Sequence, residues 1–186
     1  IAFELGFSQS YSSLCRATLW WIEEEEATVA VLLCLTEVGK SSGAARRVFR
    51  TAEMRNAEIV TYGIEFNRQR RDEHRPLGPL VFNGYKWFGT LRDAFFETYR
   101  ETDVGILKSE PVYLVKDGVD VSEEIPRDLT AIKVDDFLPY DWLSDDAVRG
   151  LAVNFLQPQT FMEALSDAVA KTALNRVKDI FDVEEH

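Results

Sequence analysis

A single carboxylate near the start of the chain, Glu4, stands in an apolar stretch that reads as a strand. A charged residue inside a buried strand needs a partner or a chemical role. A turn and a helix follow, and the helix carries a cation, Arg16. A carboxylate placed in this way, with a second one from a neighbouring strand, can hold Mg²⁺ or Mn²⁺, which polarises a phosphodiester and lowers the pKa of an attacking water. Glu4 is therefore a candidate metal ligand, and Glu4 and Arg16 are candidate catalytic residues.

The same two residues also have a structural interpretation. Twelve positions separate them, so the helix can bring Arg16 back toward the end of the strand, where it would simply pair with Glu4. Glu4 could equally cap the helix around Ser8–Ser10. The residues alone leave the catalytic and structural interpretations open.

Residues 40–75 form a basic segment in an acidic chain. The segment carries nine Lys and Arg against five Asp and Glu, a local net charge of +4, whereas the whole chain has −11. The overall charge argues against nonspecific nucleic-acid binding by the protein as a whole. The basic segment favours local docking of a protein partner or nucleic acid, with an ordinary solvated surface as the alternative. Its candidate binding residues are Arg46, Arg47, Arg50, Arg68, Arg70 and Arg71.

Other residue types that carry chemistry lack the spacing they would need. His74 and His186 form no metal-ligand pattern with Cys15 and Cys34, which read as buried thiols. The sequence GKSSG at 39–43 lacks the earlier glycine of a phosphate-binding loop. No apolar run approaches the roughly 20 residues that span a bilayer, so no membrane partner is expected.

The elements that must position these residues alternate between strand and helix. The opening strand leads into a helix from Tyr11 to Ile22, and the apolar run TVAVLLCL (28–35) is typical of a strand covered on both faces. This succession predicts an α/β fold, a mixed sheet with flanking helices. Downstream the patterns predict, in order, a basic helix over 44–58, a strand over 58–66, a loop over 67–79, an Asn83-Gly84 hairpin, a helix over 91–100 capped by Thr90, strands over 111–118 and 129–134, and a C-terminal helical pair over 144–157 and 159–180.

We expect one domain over 1–186, with a helical segment at 144–182. The start at Ile1 rather than Met indicates a fragment or a processed form. Phe161, Leu165 and Val169 share one face of the last helix, which leaves a homodimer open.

Two stretches carry a family resemblance. The sequence ELGFSQSYSSLCRATLWWIEEEEATVAVLLCL (4–35) resembles the core of the restriction-endonuclease-like superfamily, the PD-(D/E)XK fold, and in particular uncharacterised fungal proteins of that type. GYKWFGTLRDAFFETYR (84–100) is similar to a downstream segment of those fungal proteins. The resemblance covers a quarter to a third of the chain. It implies a restriction-endonuclease-like αβ core that binds nucleic acid and cleaves it with Mg²⁺.

The resemblance also implies roles for individual residues. Glu4 matches the acidic residue of the second motif, but Gly6 stands where the lysine is expected. In some branches that lysine lies on the following helix, where this chain has Arg16, which can stabilise charge but cannot act as a base. The first acidic residue of the pattern would lie before Ile1.

These departures favour a degenerate nuclease-fold domain that acts as an interaction module, with a fungal effector as one form of it. The alternative is an active divalent-metal-dependent nuclease that cleaves phosphodiester bonds. Mg²⁺ or Mn²⁺ is a cofactor only under that alternative. A cytoplasmic or nuclear location is favoured, and a secreted one is left open.

Overall fold

Strand, helix and strand follow one another at the start of the chain in a computed structural model, which describes residues 1–7, 9–39, 56–126, 131–133, 136, 151–154 and 157–181. The predicted α/β class with a mixed sheet is confirmed. The elements are β1 (Ala2–Phe7), α1 (Tyr11–Glu23), β2 (Val29–Val38), α2 (Asn56–Arg71), β3 (Leu80–Phe82), β4 (Tyr85–Phe88), β5 (Thr90–Thr102), β6 (Gly105–Lys108), β7 (Val112–Lys116), β8 (Val119–Asp120), a 3₁₀ turn (Ser122–Glu124), β9 (Ala131–Lys133), β10 (Ala152–Asn154) and α3 (Pro158–Phe181).

Six strands form the main sheet, which is parallel at one end and antiparallel at the other. The order is β1-β2-β5-β7-β8, and β6 also pairs with β5. β1 and β2 run parallel, with Glu4 opposite Leu32, because α1 connects them as a crossover. β6 and β7 both run antiparallel to β5, so β5 is bordered along most of its length. β9 with β10 and β3 with β4 form two separate hairpin-like pairs.

The described residues divide into two compact units, the first comprising 1–36 and 92–161 and the second 37–91 and 162–186. In the first unit, α1 packs on β1 and β2. Its core contains Leu14, Leu32 and Tyr99. Gly6 allows the close approach of α1, because a Cβ there would lie 2.2 Å from Leu14 Cδ1. Ser10 caps the helix as predicted, since its Oγ accepts a hydrogen bond from the Ser13 amide at 3.3 Å.

The second unit contains α2, the β3-β4 hairpin and most of α3. The predicted Asn83-Gly84 turn is confirmed, with φ values of 51° and 76° that suit a two-residue hairpin turn. Tyr62 lies at the centre of an aromatic group, with ring centroids 4.6 Å from Phe82 and 5.3 Å from Trp87. The buried apolar residues of this unit are Tyr62, Phe66, Leu77, Leu80, Trp87, Phe88, Leu91, Leu165, Val169, Ala170, Ala173 and Val177.

The helix predicted over 91–100 is wrong, because these residues belong to strand β5. Leu91, Ala94, Phe96, Glu97 and Tyr99 are all buried, on both faces of the strand. A strand covered on both sides loses the alternation of apolar and polar residues, and its apolar positions then happen to match a helical spacing.

The strand predicted over 58–66 is also wrong, since α2 spans Asn56–Arg71. Tyr62 and Phe66 are buried one helical turn apart, whereas Val60 and Ile64 are exposed. These exposed apolar residues produced the apparent alternation. The loop predicted over 67–79 correspondingly begins only after Arg71.

The prediction of a C-terminal helical pair is confirmed only for its second helix. The second helix is confirmed as α3, but residues 152–154 of the first form strand β10, in which Asn154 lies opposite Ala131 of β9. Pairing with a distant strand outweighs local helix propensity here. Residues 44–55 of the predicted basic helix, and 144–150, 155 and 156 of the first predicted C-terminal helix, lie outside the described residues.

Two further expectations concern assembly and membranes. Leu165 and Val169 are buried within the chain, so the face proposed for a homodimer is already covered, and the homodimer stays a prediction. Among the described residues, none of the helices combines the length and apolar content needed to cross a bilayer. The single-domain prediction likewise stays a prediction.

Candidate functional site

Strand β5 presents different chemistry on its two faces. Successive side chains of a strand point to opposite sides of the sheet. Glu97 and Tyr99 contact residues of α1, whereas Thr98 and Arg100 line a cavity. Both features lie within the first unit.

On the α1 side, Glu97 is the centre of a polar cluster, and its side chain is only 2% exposed. The Tyr11 hydroxyl lies 2.7 Å from both carboxylate oxygens, and the Tyr99 hydroxyl lies 3.2 Å from Oε2. Lys108 Nζ, from β6, lies 3.1 Å from Oε1 and also donates to the Tyr11 hydroxyl. We call these four residues the Glu97 cluster. Tyr99 additionally lies 3.4 Å from Cys15 Sγ.

The Glu97 cluster shifts the ionisation of its own members. Burial, together with the hydrogen bond to Glu97, raises the pKa of Tyr11 to about 12. Burial, the contact with Cys15 and the negative charge of Glu97 raise the pKa of Tyr99. Burial opposes the charge of Lys108, but hydrogen bonds to Tyr11 and Glu97 raise its pKa overall. At neutral pH both phenols are therefore protonated and the lysine is charged.

This arrangement neutralises Glu97 rather than activating it. Three donors converge on the two carboxylate oxygens, namely the Tyr11 and Tyr99 hydroxyls and Lys108 Nζ, so each oxygen has a donor within reach. With three donors around it and a side chain only 2% exposed, the carboxylate is stabilised in its charged form by groups of the chain itself. The Glu97 cluster ties α1, β5 and β6 together.

The opposite face of β5 borders a cavity of about 740 Å³. Drug-sized ligands occupy sites of roughly 300–1,000 Å³ that are mostly apolar with a few polar groups. The apolar lining comes from Pro111, Val112, Tyr113, Val121, Ile125 and Pro126. Charged residues of both signs complete it, namely Arg100, Lys116, Lys133, Glu110 and Glu124. We call this the β5 cavity.

Two contacts fix the charged wall of the β5 cavity. Arg100 forms an ion pair with Asp136, whose other carboxylate oxygen accepts a hydrogen bond from the Lys133 amide at 2.8 Å. Lys116 Nζ lies 5.2 Å from the ring centre of Tyr113. Such a cation–π contact is worth about 0.5–1 kcal/mol at an exposed site. Arg100 and Lys116 therefore already have partners within the chain.

The structure does not bring together the two residues predicted to be catalytic. Glu4 is half-buried and its Oε2 accepts a hydrogen bond from Trp21 Nε1 at 3.1 Å. Arg16 is exposed, and no hydrogen bond or ion pair joins it to Glu4. In the part of the chain that the structure describes, no three His, Cys, Asp or Glu side chains form a group that could hold a metal ion. Glu4 as a metal ligand stays a prediction.

The predicted basic binding residues fall into four groups. Arg68 is exposed but forms ion pairs with Glu65 and Glu73, at 2.7 Å each. Arg70 is buried and paired with Asp167. Arg71 is exposed. Arg46, Arg47 and Arg50 lie outside the described residues.

The sequence reasoning missed Glu97, Tyr99 and Lys108. The stretch AFFETYR has the aromatic and β-branched content that favours strands, and this composition was the signal that could have revealed β5. In a strand, Glu97 and Tyr99 share a face, which would have suggested a buried carboxylate beside a phenol. No local signal links Lys108 or Tyr11 to them.

Comparison of the chain with protein-family models, with curated proteins and with solved structures finds no match in any of the three.

Proposed function

We propose that this chain is a non-catalytic interaction module that binds an apolar segment of a partner protein in the β5 cavity. The observation that carries the proposal is the lining of that cavity, in which prolines, aliphatic side chains and one tyrosine surround a space large enough for several side chains. Exposed apolar concavities of this kind are typical of binding sites.

The charges around the β5 cavity favour a polypeptide over nucleic acid. A phosphate backbone requires clustered cations, but Glu110 and Glu124 would repel it. Arg100 is already neutralised by Asp136. A peptide carries amide dipoles and side chains of both signs, which suit a rim of mixed charge. The net charge of −11 for the whole chain argues in the same direction.

A restriction-endonuclease-like core remains part of this proposal, as does a fungal effector role. The parallel β1-α1-β2 unit supports an α/β core with Glu4 on its first strand. The hydrogen bond from Trp21 to Glu4, and the absence of a contact between Glu4 and Arg16, support a degenerate rather than an active version. The alternative of a metal-dependent nuclease is open to a direct metal titration.

Selection of a random peptide display library against the full chain tests the proposal. Peptides rich in apolar residues should be enriched, and a selected peptide should then be titrated against two matched variants by fluorescence anisotropy. Val121→Arg places a charge in the lining, while its backbone amide still donates to the Leu114 carbonyl at 2.9 Å. Val119→Arg makes the same change at an exposed residue of β8 outside the lining.

We expect Val121→Arg to weaken binding by at least about tenfold, a cost of about 1.4 kcal/mol, and Val119→Arg to leave it within about twofold. Thermal melts of both variants check that they are folded. Failure to enrich any peptide, or equal binding by the two variants, would reject the β5 cavity as the site. If the chain binds small apolar dyes but no peptide, the cavity is a small-molecule site instead.

A further inference from the structure

We propose that a second cavity, between α2 and α3 in the second unit, binds a dianionic phosphate group. The cavity measures about 250 Å³. Its charged lining is Arg70, Arg71 and Lys171, with Asp167 as the carboxylate. This proposal does not depend on the β5 cavity, since all its residues belong to the other unit.

The charge of this cavity matches a phosphate. Three cations and one carboxylate leave a net charge of +2 in a chain whose total is −11. A phosphate monoester carries about −1.5 to −2 at neutral pH, whereas a carboxylate carries only one charge. Guanidinium groups bind such oxyanions through several aligned N–H donors, and these charge-assisted hydrogen bonds are among the stronger ones in proteins.

Arg70 gives the cavity a prearranged donor. Its side chain is only 8% exposed, and it is held by Asp167 and by Asn67 Oδ1, which lies 3.3 Å from the guanidinium. Its Nε is buried and has no hydrogen-bond partner in the part of the chain that the structure describes. A buried donor without an acceptor costs about 1–3 kcal/mol. A small rotation of the guanidinium toward a bound oxyanion would remove that cost.

Arg71 and Lys171 supply the outer donors. Both are exposed, one at the end of α2 and the other in the middle of α3, and both border the same cavity. They are free to close on an anion held by Arg70, because they make no ion pair with any described residue. The site therefore combines one buried cation with two exposed ones.

Calorimetric titration of the full chain with inorganic phosphate, and separately with O-phosphoserine, tests this proposal at a constant ionic strength set with sodium chloride. Arg71→Gln and Lys171→Gln each remove one outer cation from an exposed position, so both variants should fold. Lys178→Gln is the matched control, because it removes the same charge from an exposed position of α3 outside the cavity.

We expect saturable binding by the unmodified chain, weakened by about tenfold in Arg71→Gln and in Lys171→Gln and by less than about twofold in Lys178→Gln. Tighter binding of O-phosphoserine assigns the cavity to a phosphate ester, and tighter binding of inorganic phosphate assigns it to the free ion. An equal loss in Lys178→Gln, or the absence of saturable binding, overturns the proposal. Neither result bears on peptide binding in the β5 cavity.

Discussion

Lys108→Met removes the cation that faces the buried carboxylate of Glu97. Methionine keeps most of the apolar stem of lysine, so packing over the rings of Tyr11 and Tyr99 changes little. The Glu97 side chain stays 2% exposed and keeps its hydrogen bonds from the two phenols. The variant therefore removes the ion pair together with the hydrogen bond that Lys108 donates to the Tyr11 hydroxyl and its cation–π contacts with both rings.

The magnitude follows from burial on the two sides of the pair. Removing one partner of a fully buried ion pair costs about 3–5 kcal/mol. Lys108 is 41% exposed, so water already screens a large part of its interaction with Glu97. The two phenols continue to stabilise the carboxylate. We therefore expect Lys108→Met to lower the free energy of unfolding by about 2 kcal/mol.

Urea denaturation followed by circular dichroism measures this loss, with Lys116→Met as the matched control. Lys116 also lies over a tyrosine ring, at 5.2 Å, but it is exposed. Its substitution should cost no more than about 0.5 kcal/mol. The double variant Lys108→Met with Glu97→Gln should lose about 1 kcal/mol less free energy of unfolding than the two single variants lose together. Additive losses, or equal losses for the two lysines, would refute the interpretation of the Glu97 cluster.

Three further predictions concern other residues. Arg176→Met should lower the free energy of unfolding by about 3 kcal/mol, because it removes the two guanidinium hydrogen bonds, at 2.6 and 2.8 Å, to the carboxylate oxygens of the fully buried Glu37 side chain. Lys178→Met is the control in the same urea assay. The pKa of Tyr11 in the folded chain, about 12, exceeds its ordinary value of 10.0, so the free energy of unfolding should be full below pH 10 and fall between pH 10 and about 12. The fall should be less steep in Tyr11→Phe, and parallel plots of unfolding free energy against pH for the two proteins would contradict this. Mg²⁺ and Mn²⁺ should leave the melting temperature unchanged in the unmodified chain and in Glu4→Ala, since the described contact of Glu4 is with an indole; a metal shift that Glu4→Ala abolishes would favour the nuclease.

The sequence predicted the parts of the fold that local patterns determine. Helix α1 has a single apolar stripe and a serine cap, β2 is a continuous apolar run, and Asn83-Gly84 is a turn that few other residues could form. In each case the relevant information lies within about ten neighbouring residues. The same holds for α3, whose buried positions Leu165, Val169 and Val177 follow the helical period.

The predictions from the sequence were wrong where the apolar residues are not the buried ones. In α2, Gln69 and Arg70 are buried polar residues, whereas Val60 and Ile64 are exposed apolar ones, so hydrophobicity no longer marks the inner face. Gln69 is satisfied by the backbone of Val81, to whose amide its Oε1 lies at 2.9 Å. Such a pairing depends on a strand elsewhere in the chain, and no local pattern contains it.

The candidate sites depend on the same long-range information. Glu97 fell within the helix predicted over 91–100, although its nearest donors come from residues 11 and 108. Glu4, which the family resemblance singled out, has only an indole as its described side-chain partner. Residue type alone was enough to identify Glu4 as a carboxylate on a strand. The role of each carboxylate, however, depends on the hydrogen-bond donors around it. The three donors around Glu97 make it an anchor for the sheet.

Strand β5 shows how anchoring and binding can be separated within one element. The donors of the Glu97 cluster all lie on the α1 side, so they hold the strand without entering the cavity on its other side. The cavity face carries apolar residues and charges of both signs. Thr98, between Glu97 and Tyr99, still ties its backbone amide to Ser109 Oγ at 3.0 Å, which fixes the floor of the cavity. A floor fixed by such a contact loses less conformational entropy when a partner binds, which favours the binding role that we propose for the cavity.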